Sequence, residues 1–194
     1  MPTANDTIRN TLRAHAETIT RLDALIPDIT RLAELICACL ARGGKVLWMG
    51  NGGSAADSQH LAAELVGRFQ TERKGLASIA LTTDTSILTS VGNDYGYEHI
   101  FSRQVEALCN AQDLLIGITT SGNSTNVLRA IEAGKAIGAT TVGMTGEGGG
   151  KLAALCDLTI AVPSGNTARV QEAHILIGHI VCELVDEFHA TPAA

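Results

Sequence analysis

The stretch Lys45-Val46-Leu47-Trp48-Met49 runs into the turn Gly50-Asn51-Gly52-Gly53-Ser54, and a helical pattern follows over residues 54–67. Residues 46–49 are continuously apolar, without the alternation of a half-exposed strand, so they predict a short buried strand. A buried strand, a glycine turn and a helix form the first half of a βαβ unit. This order predicts a parallel sheet.

The same pattern recurs along the chain. Further strands are predicted at 77–81, 114–118, 140–144 and 158–162, and further helices after 82–84, over 124–137 and over 166–189. Tight hairpin signals are lacking, and the strands alternate with helices. We therefore predict an α/β fold, a doubly wound parallel sheet of about five strands covered on both faces by helices.

Two amphipathic helices are predicted before the sheet. Ile8, Leu12 and Ile19 recur near helical spacing, Pro27 opens a second apolar run, and Gly43-Gly44 ends it. No linker or low-complexity segment interrupts the chain. The sequence therefore predicts one domain over residues 1–194, with residues 1–42 as an N-terminal helical pair.

Composition narrows the class of protein. The chain has 194 residues and a formal net charge of −6, which argues against a nucleic-acid-binding surface. No run of eighteen apolar residues and no signal-peptide pattern are found, so we expect neither a membrane span nor secretion. The five cysteines are an odd number in apolar surroundings, which indicates buried thiols in a reducing, cytoplasmic setting. The one basic cluster, residues 68–74, is predicted to be a solvated loop.

The turn Thr119-Thr120-Ser121-Gly122-Asn123-Ser124 is rich in hydroxyl groups and precedes a predicted helix. Free backbone N–H groups at a helix N-terminus favour an anion, and hydroxyls add donors, so the turn is a candidate phosphate site. The alternative is an ordinary Ser124 N-cap. Both this turn and residues 50–54 follow strands, so we expect them to converge at the carboxyl edge of the sheet, with Ser54 contributing a further hydroxyl.

Two helices carry groups that could bind a metal ion or transfer protons. His60 and Glu64 lie four residues apart on one helix face, although a surface i,i+4 pair shows the same spacing. Gln171 and His179 lie eight residues apart, about 12 Å along a helix, so one ion reaches both only with extended side chains or a second subunit. His174 has apolar neighbours and is as consistent with a core or interface residue as with a ligand.

The segment Gly92-Asn93-Asp94-Tyr95-Gly96-Tyr97 is a turn by composition. Asn93 and Asp94 could bind sugar hydroxyls or could only form the turn and the cap of the next helix. Gly148-Gly149-Gly150 is predicted to be a structural turn.

Several of these motifs occur together, and in the same order, in one known group. The glycine turn with Gln59-His60, the run Glu64-Leu-Val-Gly-Arg-Phe69, Val-Gly-Asn93-Asp94, Thr-Ser-Gly-Asn-Ser124 and Arg169-Val-Gln-Glu-Ala-His174 resemble the phosphoheptose isomerases, which are sugar isomerase (SIS) domain proteins. The resemblance extends from the N-terminal helices to His179. Thr119 stands where the family often has Ser, and Ala168 where some members carry Asp.

The resemblance implies a single SIS domain that converts sedoheptulose 7-phosphate to D-glycero-D-manno-heptose 7-phosphate, the first step toward bacterial heptose and lipopolysaccharide. It implies a homotetramer with interfacial active sites, N-terminal helices that contribute to oligomer packing, and one Zn²⁺ per subunit. The implied zinc ligands are His60, Glu64, Gln171 and His179. The implied substrate contacts are Asn51, Gly52, Gly53, Ser54, Glu64, Asn93, Asp94, Thr119, Thr120, Ser121, Ser124 and Gln171.

An aldose–ketose isomerase moves a proton between C1 and C2 through an enediol. We assign Glu64 as the base for the carbon-bound proton and His179 as the acid/base for the oxygens. Two alternatives remain at this point. One is a non-catalytic SIS-type scaffold that senses a sugar phosphate or binds a protein; the other is an isomerase of a different sugar phosphate. The joint presence of His60, Glu64, Gln171 and His179 favours the enzyme.

Overall fold

The continuously apolar segments fold as the strands of one parallel sheet. The computed structural model describes residues 2–190. Its strands are β1 (Val46–Gly50), β2 (Ser78–Ala80), β3 (Leu114–Thr119), β4 (Thr140–Thr145) and β5 (Leu158–Ala161). Their order is β2-β1-β3-β4-β5, and every neighbouring pair is parallel. The predicted five-stranded parallel sheet is confirmed.

Helices cover both faces of this sheet. They are α1 (Ala4–Thr20), α2 (Ile26–Ala41), α3 (Gly53–Val66), α4 (Thr85–Asp94), α5 (Ser102–Leu108), α6 (Thr125–Ile137) and α7 (Thr167–His189). Short 3₁₀ segments lie at Arg21–Leu25, Tyr97–His99 and Leu152–Ala154. The sequence analysis missed α5, because a helix of two turns is too short to show a periodic apolar pattern. Within residues 2–190, no helix is long and apolar enough to cross a membrane.

Alternate residues of the central strands serve two separate cores. Trp48 and Ile116 pack in the core that includes α2, α3 and α7. Leu47 and Leu115 point the other way, into the core that includes α5 and α6. Both faces of β1 and β3 are therefore buried, which explains why their sequences show no alternation.

The chain winds in opposite directions along the sheet on the two sides of the boundary between β1 and β3. From β1 the chain passes through α3 to β2 on one side, whereas from β3 it passes through α6 to β4 on the other. Ligands of open α/β sheets bind beyond the carboxyl ends of the strands at such a switch point. The two turns that the sequence analysis singled out follow β1 and β3, so both lie at this switch point.

Two sequence expectations need correction. Gly92, Asn93 and Asp94 are not in a turn but form the end of α4, and only the segment after Asp94 leaves the helix. Residues 68–74 do form a loop, but it is not wholly solvated, since Arg73 is only 5% exposed. Composition shows that this loop is basic, but it does not show that Arg73 pairs with a buried carboxylate.

Candidate active site

The hydroxyl-rich turn after β3 draws its side chains together. Thr119 Oγ1 lies 2.8 Å from Ser124 Oγ and 3.4 Å from Ser121 Oγ. Ser124 precedes α6, but its side chain makes no capping hydrogen bond to the helix. The N-cap alternative for this serine is therefore not what the structure shows. Its hydroxyl instead joins a cluster of hydroxyls beside the positive end of the α6 dipole, which suits an anion.

The glycine-rich loop at residues 146–150 packs against this turn. Gly122 adopts a φ of +66°, and a side chain there would collide with the carbonyl of Gly149. The amide N–H of Leu152 donates to the carbonyl of Gly122 at 3.0 Å, and that of Gly146 donates to Thr120 at 3.1 Å. The glycine-rich loop at 146–150 is structural, as predicted, and its role is to hold the backbone of the hydroxyl-rich turn.

We expect Thr119→Val to raise KM for a sugar phosphate about tenfold to a hundredfold. The substitution keeps the shape and removes one hydroxyl, and a hydrogen bond to a charged group contributes about 1.5–3 kcal/mol. Steady-state kinetics measures the change. Thr30→Val is the matched control, because it removes an exposed hydroxyl that only bonds to the Ile26 carbonyl of its own helix. An unchanged KM in Thr119→Val would show that this hydroxyl does not contact the phosphate.

The glycine turn after β1 is joined by a pair of amides to the first turn of α6, which directly follows the hydroxyl-rich turn. Asn51 Nδ2 donates to Asn126 Oδ1 at 2.9 Å, and Asn126 Nδ2 donates back to Asn51 Oδ1 at 2.8 Å. The hydroxyl of Tyr97 also donates to Asn51 Oδ1, at 2.9 Å. The predicted convergence of the two turns is thus observed.

A cavity of about 520 Å³ opens beside this amide pair, lined by Asn51, Tyr97, Glu98, Ser124, Thr125 and Asn126. Sequence analysis missed Asn126 and gave Tyr97 no role. Asn126 lies in the first turn of an ordinary helix pattern, where no spacing signal distinguishes it. Tyr97 is one of two tyrosines in the chain and follows a predicted turn, which is the only signal that could have indicated it.

Gln171 belongs to the same edge of the sheet. It lies in the second turn of α7, and its carboxamide packs so closely on Gly53, the first residue of α3, that a Cβ at Gly53 would collide with it. Ser54, the next residue of α3, is buried, and its Cβ lies close to Gly50. Gly53 therefore has a steric reason to be glycine, namely the approach of Gln171.

We expect Gly53→Ala to lower turnover by about a hundredfold while leaving the melting temperature nearly unchanged. The methyl group displaces the far end of a flexible glutamine, which costs little stability, but a 1 Å misplacement in a site can cost that much in rate. Kinetics and thermal denaturation separate the two effects. Gly92→Ala is the control, since its Cβ would meet only Ile100 at an ordinary 3.7 Å. Normal turnover in Gly53→Ala would remove Gln171 from the site.

A cluster of potential metal ligands lies farther along α3 and α7. One ligand atom each from His60, Glu64 and His179 lies within 4.8 Å of the others. His60 Nε2 is 3.0 Å from Glu64 Oε1 and 3.4 Å from His179 Nε2. Two imidazole nitrogens bonded at about 2.1 Å to one tetrahedral ion stand about 3.4 Å apart, so this donor set fits a metal ion of the zinc type.

A buried carboxyl group stands one turn before this cluster. Asp57 is only 8% exposed, and its Oδ2 has no hydrogen-bond partner among the described residues. Burial raises its pKa to about 6, against the opposing influence of nearby His60. Sequence analysis missed it because an aspartate in a helix usually faces solvent.

Within one chain, this cluster is separated from the turns that follow β1 and β3. From Gly53 to Glu64 the helix rises about 16 Å, so the His60–Glu64–His179 cluster lies toward the far end of α3 from the glycine turn. Gln171 lies eight residues before His179 and packs on Gly53, which places it with the turn and about 12 Å along α7 from the cluster. A single chain therefore brings three of the four predicted ligands together.

The remaining candidates have other surroundings. Asn93 and Asp94 are exposed and bond to each other, Nδ2 to Oδ1, at 2.8 Å. Within residues 2–190 no hydrogen bond joins either to the turns or to the cluster. His174 is fully buried, and its Nε2 lies 3.0 Å from the Thr145 carbonyl. Burial lowers its pKa to about 4, so it is a neutral core histidine.

Fold and site together define a sugar isomerase domain protein, and the SIS domain family model matches residues 11–146. Phosphoheptose isomerase 1 of Campylobacter jejuni is 55% identical over 173 residues, 89% of this chain and 93% of that protein. The phosphoheptose isomerase of Aquifex aeolicus is 59% identical over 160 residues, 82% and 84% respectively. A solved phosphoheptose isomerase from Neisseria gonorrhoeae aligns with a TM-score of 0.91 at 43% identity, over 95% of this chain and all of that one. The chain belongs to the phosphoheptose isomerase family.

Proposed function

We propose that the chain isomerises sedoheptulose 7-phosphate to D-glycero-D-manno-heptose 7-phosphate. The observation that carries this proposal is the His60–Glu64–His179 cluster, which puts a carboxylate and two imidazoles in contact on a fold that also holds a phosphate-type turn. The family relatives named as phosphoheptose isomerases support it. The same chemistry, proton transfer on a phosphorylated sugar, explains both the cluster and the turn.

The phosphate end of the substrate is assigned to the turn after β3. Thr119, Thr120, Ser121 and Ser124 supply hydroxyl and backbone donors there. Hydroxyls bind the phosphate dianion without adding charge, so they anchor the substrate while release stays possible. We assign Asn51, Gly52, Gly53, Ser54 and Gln171 to the adjoining sugar hydroxyls; Asn93 and Asp94 stay predicted substrate contacts.

Proton transfer is assigned to Glu64 and His179. Glu64 takes the proton from C1 of the ketose and returns it to C2, passing through the enediol, while His179 gives and takes protons at the two oxygens. A carboxylate has two oxygens, so Glu64 can meet His60 through Oε1, at 3.0 Å, and the substrate through the other. His179 is half-buried, so part of its side chain stays accessible to substrate.

The cofactor is assigned as one Zn²⁺ per subunit. His60, Glu64 and His179 would hold it. Gln171 lies about 12 Å away along α7 in the same chain, so it is the predicted fourth ligand only if a second subunit brings it to the cluster. Bound there, zinc supplies Lewis-acid chemistry that polarises the substrate carbonyl. Two imidazoles and one carboxylate are a typical protein ligand set for catalytic zinc.

A homotetramer with interfacial active sites is part of the proposal. The 16 Å rise along α3 separates the cluster from the turns within one chain, so a substrate held at both needs a second subunit. Ile8 and Leu12 on α1 are 56% and 64% exposed, an apolar stripe suited to packing against another copy.

We also assign the enzyme to the cytoplasm. Its five cysteines are all free thiols, four of them buried and Cys156 half-buried. Free thiols persist where the compartment is reducing. We expect the phosphorylated sugar substrate to be produced and used in the cytoplasm as well.

Chelation tests the proposed cofactor. Removal of metal from the purified protein is expected to abolish isomerisation of sedoheptulose 7-phosphate, and stoichiometric Zn²⁺ is expected to restore it. Turnover is followed by chromatography of the aldose product, and metal content by elemental analysis. Mg²⁺ in place of Zn²⁺ is the control, because a site with two imidazoles binds it poorly. Full activity in demonstrably metal-free protein would overturn the zinc assignment and leave the isomerase assignment standing.

A further inference from the structure

Residues 67–75, the first part of the loop between α3 and β2, are built around a buried ion pair. Arg73 Nε donates to Asp186 Oδ1 at 2.6 Å, and the two side chains are 0% and 1% exposed. Arg73 comes from the loop, whereas Asp186 lies two helical turns after His179 on nearly the same face of α7. The pair therefore fastens the loop to the helix that carries His179.

Arg73 also holds the end of α3. Its Nη2 donates to the carbonyl of Glu64 at 2.9 Å, and its Nη1 donates to the carbonyl of Leu65 at 2.9 Å. These carbonyls belong to the last turn of α3 and have no partner within the helix. One guanidinium thus joins the backbone of Glu64 to the helix of His179.

Asp186 fixes the rest of the loop. Its Oδ2 accepts the backbone N–H groups of Phe69, Gln70 and Thr71 at 3.2, 2.7 and 2.9 Å. Three donors from consecutive residues leave the backbone of this segment little freedom. The carboxylate therefore sets the direction in which Phe69 leaves the loop.

Phe69 leaves the loop toward His179. The two rings stack with centroids 5.3 Å apart and planes 20° apart. The His179 ring also lies near the His60 ring, with centroids 5.0 Å apart and planes 63° apart, and the two Nε2 atoms are 3.4 Å apart. The imidazole of His179 thus contacts Phe69 through one face and His60 through Nε2, and the stacking on Phe69 limits its rotation.

A buried ion pair is seldom the most stabilising choice, because well-packed apolar residues often serve as well. This pair instead satisfies three amides and two helix-end carbonyls, and Arg73 Nη1 also donates to the Gly67 and Lys74 carbonyls of the loop. Two of its contacts reach further than the loop: the bond to the Glu64 carbonyl and the bond to the Phe69 amide.

We propose that Arg73 and Asp186 are positioning residues for the reaction, which act through Phe69 to orient the His179 imidazole and through the α3 terminus to place Glu64. Only the expected loss of kcat rests on the proposed function. The orientation of the His179 ring is a property of the protein whether or not it turns over.

The test uses the purified full-length protein with histidine labelled with ¹³C at Cε1. We expect Phe69→Leu and Arg73→Lys to shift the His179 ring signal and to lower kcat about tenfold to a hundredfold, with KM close to wild type. Phe69→Tyr keeps the aromatic face and is expected to retain both the signal and kcat. Because the two residues act in one chain of contacts, the double variant Phe69→Leu/Arg73→Lys is expected to lose little more than the worse single variant.

Glu72→Gln is the matched control, because it removes a carboxylate of the same loop that pairs with Arg68 in solvent. An Arg73→Lys protein with a lower melting temperature but an unchanged His179 signal and kcat would overturn the proposal, as would equal kcat for Phe69→Leu and Phe69→Tyr. A wild-type protein without turnover would instead refute the proposed function, and the ring signal would still decide the positioning role.

Discussion

Glu64→Gln is expected to lower kcat for sedoheptulose 7-phosphate by about 10²–10⁴-fold, the contribution typical of a positioned general base. The amide has the size and shape of the carboxylate but cannot accept the proton from C1. Glu64 lies near the end of α3 with its side chain 22% exposed, and because the substitution keeps its size we expect the fold to be retained. Kinetics measures kcat, while circular dichroism and size-exclusion chromatography verify fold and oligomer.

Glu34→Gln is the control for this substitution. Glu34 lies on α2, where it forms an exposed pair with Arg31 at 3.0 Å, and its loss is expected to leave kcat unchanged. Metal content must also be measured in Glu64→Gln, because His60 and His179 alone hold zinc less tightly. If the variant isomerises at the wild-type rate, Glu64 is not the base.

Asp186→Asn is expected to lower the free energy of unfolding by about 3–5 kcal/mol, the usual cost of breaking a buried ion pair by removing one partner. Burial opposes ionisation of Asp186, but the amides of Thr71 and Gln70 and the Arg73 guanidinium hold its pKa below its usual range. In the variant the guanidinium stays buried without a counter-charge. Urea denaturation at one fixed protein concentration measures the loss, since oligomers unfold in a concentration-dependent way.

Glu106→Gln supplies the comparison. It breaks an exposed pair with Arg103, which contributes only about 0.2–1 kcal/mol. A comparable small loss in Asp186→Asn would mean that the buried pair is dispensable for folding. The loop at 67–75 would then be held by its other contacts.

Much of the fold could be predicted because buried parallel strands have a direct sequence signature. Residues 46–49 and 114–118 are unbroken apolar runs, and each is followed by a turn rich in glycine or hydroxyls. Parallel strands put such turns at one edge of the sheet. The approach of Asn51 to the residues that follow β3 was expected from this rule.

The rest depends on contacts between residues far apart in sequence. Asn126 and Asp186 are ordinary polar residues in helix patterns. Only the approach of α6 to the turn after β1, and of residues 67–75 to α7, gives them their partners. Helix spacing could suggest that His60 and Glu64 share a face but could not show that His179 joins them. Neither could it show that Gln171 packs two turns away, against Gly53.

The central claim is tested most directly by incubating the purified wild-type protein with sedoheptulose 7-phosphate in D₂O and recording ¹H NMR spectra over time. The account predicts new anomeric signals of the aldoheptose 7-phosphate, with solvent deuterium at C2, because the proton taken by a carboxylate exchanges with water. Zinc-loaded, oligomeric protein that leaves the ketose unchanged and exchanges no proton would contradict it.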